Sequence, residues 1–439
     1  MLSALIIGLI TPVLSAEEPD TSPNTTPSDP FREFLTGGKV SLYLRYRFEN
    51  VDDAQNTPAP FPVRDANANT LRSALGYTTG LLYHFGATFQ VEDVRVIGRE
   101  MFNDGGGNGI TNRAVVVDPE GAEIQQANVR FEGIPKTVLR FGRQEIEHRQ
   151  APFHRYIGNI LWRQNWQSFD AFRATTAYLP DTTIDYAYVW NTNRIFGEDN
   201  PVQDRSDFPM DSHLINAHYT GFKIGKFEPY AYLLDFSHTV SERFSTQTYG
   251  LRFDGAYPLT PKAKVLYTGE YAYQSDYAEN PNTIDVDYGL GELGTNYSFG
   301  QLVESVTAKV SYEVLGGSGN KFDSFQTPLG TNHAFQGWAD RFLVTPNDGI
   351  EDFFVTLKAV ILGANLIAVY HDLSSNHDSY AYGTEWDLQL DKTFKQHYTV
   401  GLKYADYEAD RNVLNVARNS GSGQAFDLGK FWVWVQVVF

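Results

Sequence analysis

Hydrophobic and polar residues alternate with a period of two along most of the chain after residue 38. In the stretch VSLYLRYRFE, one side of an extended backbone carries Val40, Leu42, Leu44, Tyr46 and Phe48, and the other side carries Ser41, Arg45, Arg47 and Glu49. The stretch SVTAKVSYEV at 305–314 repeats the same scheme. Successive side chains of a β-strand point to opposite faces, so this pattern predicts strands with one apolar and one polar face.

About eighteen segments of this kind predict about eighteen strands. Their predicted bounds are residues 40–50, 70–79, 86–97, 124–132, 137–144, 166–178, 182–191, 213–222, 227–236, 247–257, 262–273, 287–299, 303–315, 352–362, 364–373, 379–390, 397–406 and 429–439. In the third segment the alternation drifts out of phase at Glu92-Asp93-Val94-Arg95, which predicts a bulge or an early end.

The connections between these segments alternate between short and long. Short links such as GIPK, LPDT, KIGK and PLTP contrast with long, polar links at residues 51–69, 98–123, 145–165, 192–212, 316–351 and 407–428. Outer-membrane barrels are connected in this way, with short periplasmic turns and long external loops. The sequence therefore predicts an all-β fold, a single transmembrane antiparallel β-barrel of about 18 strands over residues 39–439. A soluble β-sandwich is the alternative.

The last stretch, GKFWVWVQVVF, places Phe431, Val433, Val435, Val437 and Phe439 on one side of an extended chain. A closed barrel needs such a last strand to pair with its first strand. An even number of strands also brings both chain ends to the short-turn side.

The first sixteen residues, MLSALIIGLITPVLSA, form an apolar run that ends on the small residues Ser15 and Ala16. This pattern predicts a signal peptide over residues 1–16, followed by a periplasmic leader over residues 17–38. No Lys or Arg precedes the apolar run, and a buried N-terminal helix is the alternative.

The composition of the chain excludes some classes of function. The net charge of −18 argues against a nucleic-acid partner, and the absence of cysteine excludes disulfides and thiolate chemistry. Aromatic residues reach 14 %, which suits a chain that must supply rings at membrane interfaces.

The polar parity of the strands predicts the charges that face the barrel lumen. They are Arg45, Arg47, Arg72, Arg130, Arg140, Arg173, Arg252, Lys264, Lys309, Lys358 and Lys403, with the acids Glu49, Glu92, Asp185, Asp235, Asp254, Glu270, Glu292, Glu313, Glu385 and Asp387. Rings of basic residues favour anions in a pore, whereas paired charges neutralise one another. Both interpretations stay open.

Catalysis and metal binding find little support in the motifs. The chain has no G-x-S-x-G elbow and no H-E-x-x-H pair, and the Gly-rich NDGGGNG at 103–109 lacks the ligand spacing of an EF-hand. We predict no enzyme activity, no metal and no cofactor.

Several stretches resemble the alginate-export family of outer-membrane porins. They are RYRFENVD (45–52), ANTLRSALGY (68–77), VVDPEGAEIQQANVRF (116–131), GRQEI (142–146), WRQNWQSFDAF (162–172), NTNRIFG (191–197) and HAFQGWADRFL (333–343). The resemblance implies a monomeric 18-stranded barrel in the bacterial outer membrane of a Gram-negative cell, in contact with lipid. The archetype of the family exports an anionic uronate polysaccharide through an Arg-rich lumen.

Carried over by position, the resemblance points to pore or mouth contacts at Arg45, Arg72, Arg130, Arg143, Arg163 and Arg194. Of these, Arg143 falls on the lipid-facing parity of its strand. The terminal Phe439 resembles the signal that the barrel-assembly machinery reads. We therefore predict a passive channel for polar or anionic solutes, with an alginate-like polysaccharide among them. A general small-solute porin and a plugged surface receptor or adhesin are the alternatives.

Overall fold

The computed structural model describes residues 29–54 and 63–439, and in these ranges the chain forms one closed β-barrel. Eighteen antiparallel strands follow one another around the sheet in chain order, and the last pairs with the first. The strands are β1 (Lys39–Asp53), β2 (Ala66–Thr78), β3 (Phe85–Val96), β4 (Gly121–Ile134), β5 (Thr137–Gln144), β6 (Ser168–Thr176), β7 (Thr182–Asn193), β8 (Asp207–Tyr219), β9 (Lys226–Leu234), β10 (Thr246–Pro258), β11 (Ala263–Asp276), β12 (Asp285–Ser298), β13 (Val303–Leu315), β14 (Ile350–Ile361), β15 (Ala364–Ser374), β16 (Ala381–Phe394), β17 (Tyr398–Ala409) and β18 (Leu428–Val438).

Each of the eighteen predicted segments overlaps one of these strands, so the predicted fold class is confirmed. Two short α-helices accompany the barrel, α1 (Pro30–Thr36) and α2 (Val413–Asn419), with single 3₁₀ turns at Glu242–Phe244 and Asn332–Ala334. No helix in the described ranges has the length and apolar character needed to span a bilayer. The predicted signal peptide at 1–16 lies outside the described residues.

Alternation along the strands separates an apolar outer face from a polar lumen. On β1, Arg45, Arg47 and Glu49 are 5 %, 1 % and 0 % exposed and point inward. Val310 and Val435 on the outer parity are 49 % and 45 % exposed, as lipid-facing side chains must be in the isolated chain.

The barrel seam joins β1 to β18 over the register from Tyr43↔Val438 to Asp53↔Leu428. Beyond it, the backbones of Leu42 and Phe439 exchange two hydrogen bonds of 2.9 Å. The last strand of the sequence therefore closes the sheet, as its alternation predicts.

The predicted break in β3 is misplaced. Glu92 and Val94 stay inside, and the outward Asp93 and Arg95 form an ion pair of 2.6 Å with each other. The irregularity lies on the neighbouring strand, where β4 carries the extra residue Gln125 opposite Gln90 and Val91. Charges on the outer face near the long loops lie where lipid headgroups begin, so they do not signal a change of face.

Two long loops turn into the lumen instead of outward. The β5–β6 loop (residues 145–167) and the β13–β14 loop (residues 316–349) lie side by side and join through a short parallel bridge between Ile157 and Leu329. Both residues are buried, at 3 % and 0 % exposure. Together the two loops reach across the lumen from one wall to the other and position the charged site described next.

Candidate functional site

The inward arginines of β1 and β2 hold the β5–β6 loop against the wall. The Arg45 guanidinium donates to the Gln164 side chain at 2.9 Å and to the Leu161 carbonyl at 2.8 Å. Arg72 donates to the Gln164 carbonyl at 2.5 Å. These side chains face the lumen, as the parity predicts, and they bind the loop backbone there.

Arg47 and Arg72 also form buried ion pairs. Arg47 contacts Asp118 at 2.5 Å and Glu49 at 3.2 Å, and it donates to the Trp162 carbonyl. Arg72 pairs with Glu92, and its guanidinium lies 3.7 Å from the centroid of the Trp166 ring. Carboxylates thus neutralise Arg47 and Arg72, whereas Arg45 donates, among the described residues, only to amide and carbonyl oxygens.

Trp162 lies at the centre of an aromatic and cationic cluster. Its ring stacks on His333 of the β13–β14 loop, with centroids 4.5 Å apart, and meets Trp432 and Trp434 of β18 edge-on at 5.6 and 5.7 Å. The Lys403 ammonium lies 4.4 Å from the same ring and the Arg47 guanidinium 5.1 Å. Cations over an indole face are attracted by its quadrupole, so this cluster fixes the tip of the loop.

Asp340 of the β13–β14 loop links both loops to the wall. Its carboxylate contacts Arg163 at 3.1 Å, Lys430 at 2.8 Å and His333 Nδ1 at 2.6 Å. Arg163 in turn pairs with Glu49 at 3.2 Å. Burial lowers the pKa of His333 to about 3 although Asp340 opposes that shift. The neutral ring then donates from Nδ1 to Asp340 and accepts at Nε2 from Lys403, at 2.7 Å.

The opposite wall carries a second set of ion pairs. Arg149 of the β5–β6 loop contacts Glu228 at 2.9 Å and Glu270 at 2.6 Å. Arg252 joins Glu270 from β10 at 2.9 Å. Near the long-loop end of β13, Arg155 pairs with Glu313 at 2.5 Å. The loop therefore spans the lumen and is tied at both ends by buried charge pairs.

Three neighbouring strands place arginines side by side on the lumen wall. Arg130 of β4 is the register partner of Arg140 of β5, and Arg140 is the register partner of Arg173 of β6. Arg130 contacts Glu132 at 2.8 Å, and Arg173 contacts Asp185 at 2.9 Å. Arg140 has no hydrogen-bond or ion-pair partner among residues 29–54 and 63–439, although directly opposed side chains lie only about 5 Å apart at Cβ.

Lys264 and Lys358, like Arg140, lack a partner for their charge among the described residues. Both face the lumen close to the short turns, and neither side chain has a carboxylate partner in the described ranges. On the short-turn side of the two loops, the inward carboxylate of Asp391 accepts hydrogen bonds from the side-chain amides of Asn365 and Gln389. The lumen wall near the short turns therefore carries an excess of free positive charge.

Three sequence-based assignments differ from the structure. Arg143 lies on the outer face of β5, where it pairs with Asp170 at 2.9 Å, so it does not line the lumen. Arg194 is enclosed in the β7–β8 loop, 4.0 Å from the Phe208 ring centroid, and burial lowers its pKa to about 10. Asp235 falls beyond the end of β9, because that strand stops at Leu234.

The remaining predicted residues, Arg163, Arg252, Asp185 and Glu270, all lie inside the barrel. Sequence reasoning gave no individual role to the loop residues Arg149, Arg155 and Asp340, which complete the ion pairs. The composition of the two long links could have indicated these residues, because the links are unusually rich in Arg, His and aromatic residues. Loops that are exposed to water do not require such a composition.

The Gly-rich stretch at 103–109 forms its own turn. The Asp104 carboxylate accepts the backbone N–H groups of Gly106 at 2.9 Å and Gly107 at 2.7 Å. Across the described part of the chain, no group of three or more His, Asp or Glu side chains is arranged to hold a metal ion.

Comparison with known proteins agrees with this geometry. The alginate-export family profile matches residues 39–325, well over half of the chain. OccAB4 of Acinetobacter baumannii superposes with a TM-score of 0.66 at 13 % identity, covering 94 % of this chain and 100 % of its own. OpdK of Pseudomonas aeruginosa, solved with vanillate, superposes with a TM-score of 0.67 at 13 % identity, covering 92 % of this chain and 99 % of its own.

OpdQ of Pseudomonas aeruginosa gives a TM-score of 0.63 at 15 % identity, covering 93 % of this chain and 99 % of its own. No curated protein sequence matches the chain. The matching structures are porins, which are transport channels and not enzymes. The predicted location in the bacterial outer membrane is confirmed.

Proposed function

The chain belongs to the alginate-export family of outer-membrane porins, and we propose that it is a passive channel for small anionic solutes, with carboxylates and short uronate saccharides as the favoured class. The observation that carries this proposal is a set of cations on the lumen wall near the short turns, Arg140, Lys264 and Lys358, which have no carboxylate partner among the described residues. A fixed charge that no carboxylate neutralises is free to attract a mobile anion.

The surroundings strengthen the effect of these charges. Strands in lipid form a low-dielectric wall, and such a wall focuses the field of a few charges into the aqueous lumen. Arg130 and Arg173 flank Arg140 on neighbouring strands and add to the local positive potential even though each has its own acid. A carboxylate approaching this wall gains attraction that a cation of the same size lacks.

The in-folded loops favour small solutes. The β5–β6 loop is tied to β1 through Arg45 and to β9 and β11 through Arg149, so it crosses the lumen. Buried ion pairs at both ends hold it in place. A monomeric carboxylate or a short, extended saccharide fits beside such a loop more easily than a bulky polymer.

A general diffusion porin without charge preference is the second candidate. Its support comes from the ion pairs of the constriction, where Arg47, Arg149 and Arg155 each contact a carboxylate. Balanced ion pairs orient polar solutes but do not select between anionic and cationic solutes. A plugged receptor would need the two loops to stay closed.

Recordings in planar bilayers separate these functions. We expect stepwise conductance from the purified protein, and a reversal potential in a potassium chloride gradient that shows chloride to be more permeant than potassium. Equal permeabilities would favour the general porin, and the absence of open steps would remove the channel proposal. Liposome swelling with glucuronate and with glucose then tests the solute class: glucuronate should enter faster than its size alone allows.

A further inference from the structure

The short helix α1 (Pro30–Thr36) is a well-defined element at the short-turn rim. Asp29 caps its start by accepting the Phe31 N–H at 3.0 Å, and Pro30 occupies the first helical turn. Its end is marked by Gly37, whose N–H donates to the Glu33 carbonyl at 2.8 Å. A helix of seven residues is unstable by itself in water, so its presence requires contacts outside the helix.

Those contacts lie on the lipid-facing side of the barrel. The Tyr77 hydroxyl donates to the Leu35 carbonyl, and the Gly80 N–H donates to the Phe34 carbonyl at 3.0 Å. Tyr77 belongs to the outer parity of β2 and pairs in register with Val40, which is 66 % exposed. The helix is therefore docked beside the outer wall and not under the mouth of the lumen.

The exposed surface of α1 includes an apolar face. Phe31 and Leu35, four residues apart and so on one face, are 55 % and 48 % exposed. The adjoining β2–β3 turn exposes Leu81 and Tyr83, followed by Phe85 at the start of β3. Arg32, Glu33 and Thr36 are the polar residues of the helix. One apolar surface thus runs from the strands across the turn to the helix.

We propose that α1 is an interfacial anchor, which lies in the headgroup region of the inner leaflet with Phe31 and Leu35 in contact with phospholipid acyl chains. Continuity with the lipid-facing surface identifies the occupant as lipid, because the same patch already includes side chains that border the membrane. Amphipathic helices with aromatic and leucine side chains bind at this depth. Such an anchor fixes where the chain leaves the barrel toward the periplasm, independently of the solute that the channel passes.

The absence of cysteine from the sequence makes a direct test possible. Single variants Phe31→Cys, Leu35→Cys and Glu33→Cys, each carrying a nitroxide spin label, are reconstituted in vesicles of phosphatidylethanolamine and phosphatidylglycerol. Collision with oxygen, which concentrates in lipid, is compared with collision with a water-soluble nickel chelate. Val40→Cys on the outer wall and Asp199→Cys in the exposed β7–β8 loop are the lipid and water references.

We expect the labels at positions 31 and 35 to resemble the Val40 reference, with several-fold less nickel access than the label at position 33. Equal nickel access at 31, 33, 35 and 199 would overturn the anchor. Equal nickel access is also the result expected if a partner protein covers this face in the cell, because the vesicles contain no partner protein. It would therefore rule out lipid as the occupant in either case. Resistance of each labelled barrel to heat unfolding in detergent verifies that it is folded. Conductance, recorded separately, then separates failure of the anchor from failure of the channel proposal.

Discussion

The indole of Trp162 and the imidazole of His333 lie flat against each other, with centroids 4.5 Å apart and planes inclined by 4°. The two rings belong to different loops, separated by eight strands along the chain. Their stacking, together with the Arg163–Asp340 ion pair of 3.1 Å, joins the β5–β6 and β13–β14 loops into one unit. The size of the passage therefore depends on both loops together.

Replacing Trp162 with Ala tests this unit. The change removes the stack on His333 and the contacts with Trp432 and Lys403. Because Trp162 is only partly buried, the cost should stay below the about 3–5 kcal/mol of truncating a fully buried aromatic residue. We expect higher single-channel conductance and more frequent fluctuations, because the loop tip loses its anchor. The matched control is Trp386→Ala on the outer wall, where the ring is 55 % exposed to lipid. Unchanged conductance in both variants would show that the loops do not limit the passage.

Replacing Arg140 with Gln tests the origin of anion preference. The side chain has no partner among the described residues, so its removal leaves no buried acid uncompensated and the barrel should remain as stable as before. We expect the ratio of chloride to potassium permeability to fall, as measured by the reversal potential. Arg143→Gln removes an arginine from the outer face of the same strand and should leave that ratio unchanged. A similar loss in both variants would contradict a local role for Arg140.

Alternation predicted which strand side chains face the lumen, but it could not predict their partners. Period two assigned Arg45, Arg47 and Arg72 correctly because the side chains of a strand have only two directions. Whether these arginines were free or paired depended on the β5–β6 loop, whose path follows from contacts such as that of Arg149 with Glu270. Contacts between residues 121 positions apart leave no periodic trace in the sequence.

We expect Glu145, which follows β5 and interacts with the charge of Arg72, to make ion selectivity depend on pH. Burial raises the pKa of its carboxyl to about 7, and the neighbouring Glu147 adds to the shift. Because this pKa is raised in the folded state, the protonated form stabilises the loop, and that contribution is lost as the pH rises through 7. Below pH 7 the constriction loses a negative charge, so anion preference should increase.

Reversal potentials recorded between pH 5 and pH 9 measure this change. Glu145→Gln should show the low-pH preference throughout that range, because an amide does not titrate. The exposed Glu279→Gln should retain the pH dependence of the parent protein. A pH dependence that persists in Glu145→Gln would assign the titration to another group.

Replacing Arg163 with Ala should destabilise the loops strongly. The change leaves Glu49 and Asp340 buried with less positive charge, and breaking a buried ion pair by removing one partner costs about 3–5 kcal/mol. Limited proteolysis in vesicles measures this destabilisation, which should appear as faster cleavage within the β5–β6 loop. Arg411→Ala breaks the exposed pair with Asp427, where the expected cost is only about 0–1 kcal/mol. Equal protease resistance in the two variants would argue that the Arg163 pairs do not hold the loop.

Phe439 contributes to the seam in two separable ways. Its backbone exchanges two hydrogen bonds of 2.9 Å with Leu42, and its ring stacks on His397 with centroids 4.6 Å apart. Deleting the residue removes both contacts, whereas Phe439→Ala removes only the ring. If the seam alone matters, only the deletion should lower the yield of heat-resistant barrel when the protein refolds in detergent or vesicles.

Assembly in the cell tests the prediction, drawn from the family resemblance, that the barrel-assembly machinery recognises the Phe439 ring. Phe439→Ala should then refold in vitro like the parent protein but reach the outer membrane poorly in living cells. The control Phe394→Ala removes another exposed ring near the short-turn rim and should be inserted normally. Normal insertion of Phe439→Ala would contradict recognition of the ring, because its backbone pairing with Leu42 is unchanged in that variant. Poor refolding in vitro would instead assign the defect to the seam itself.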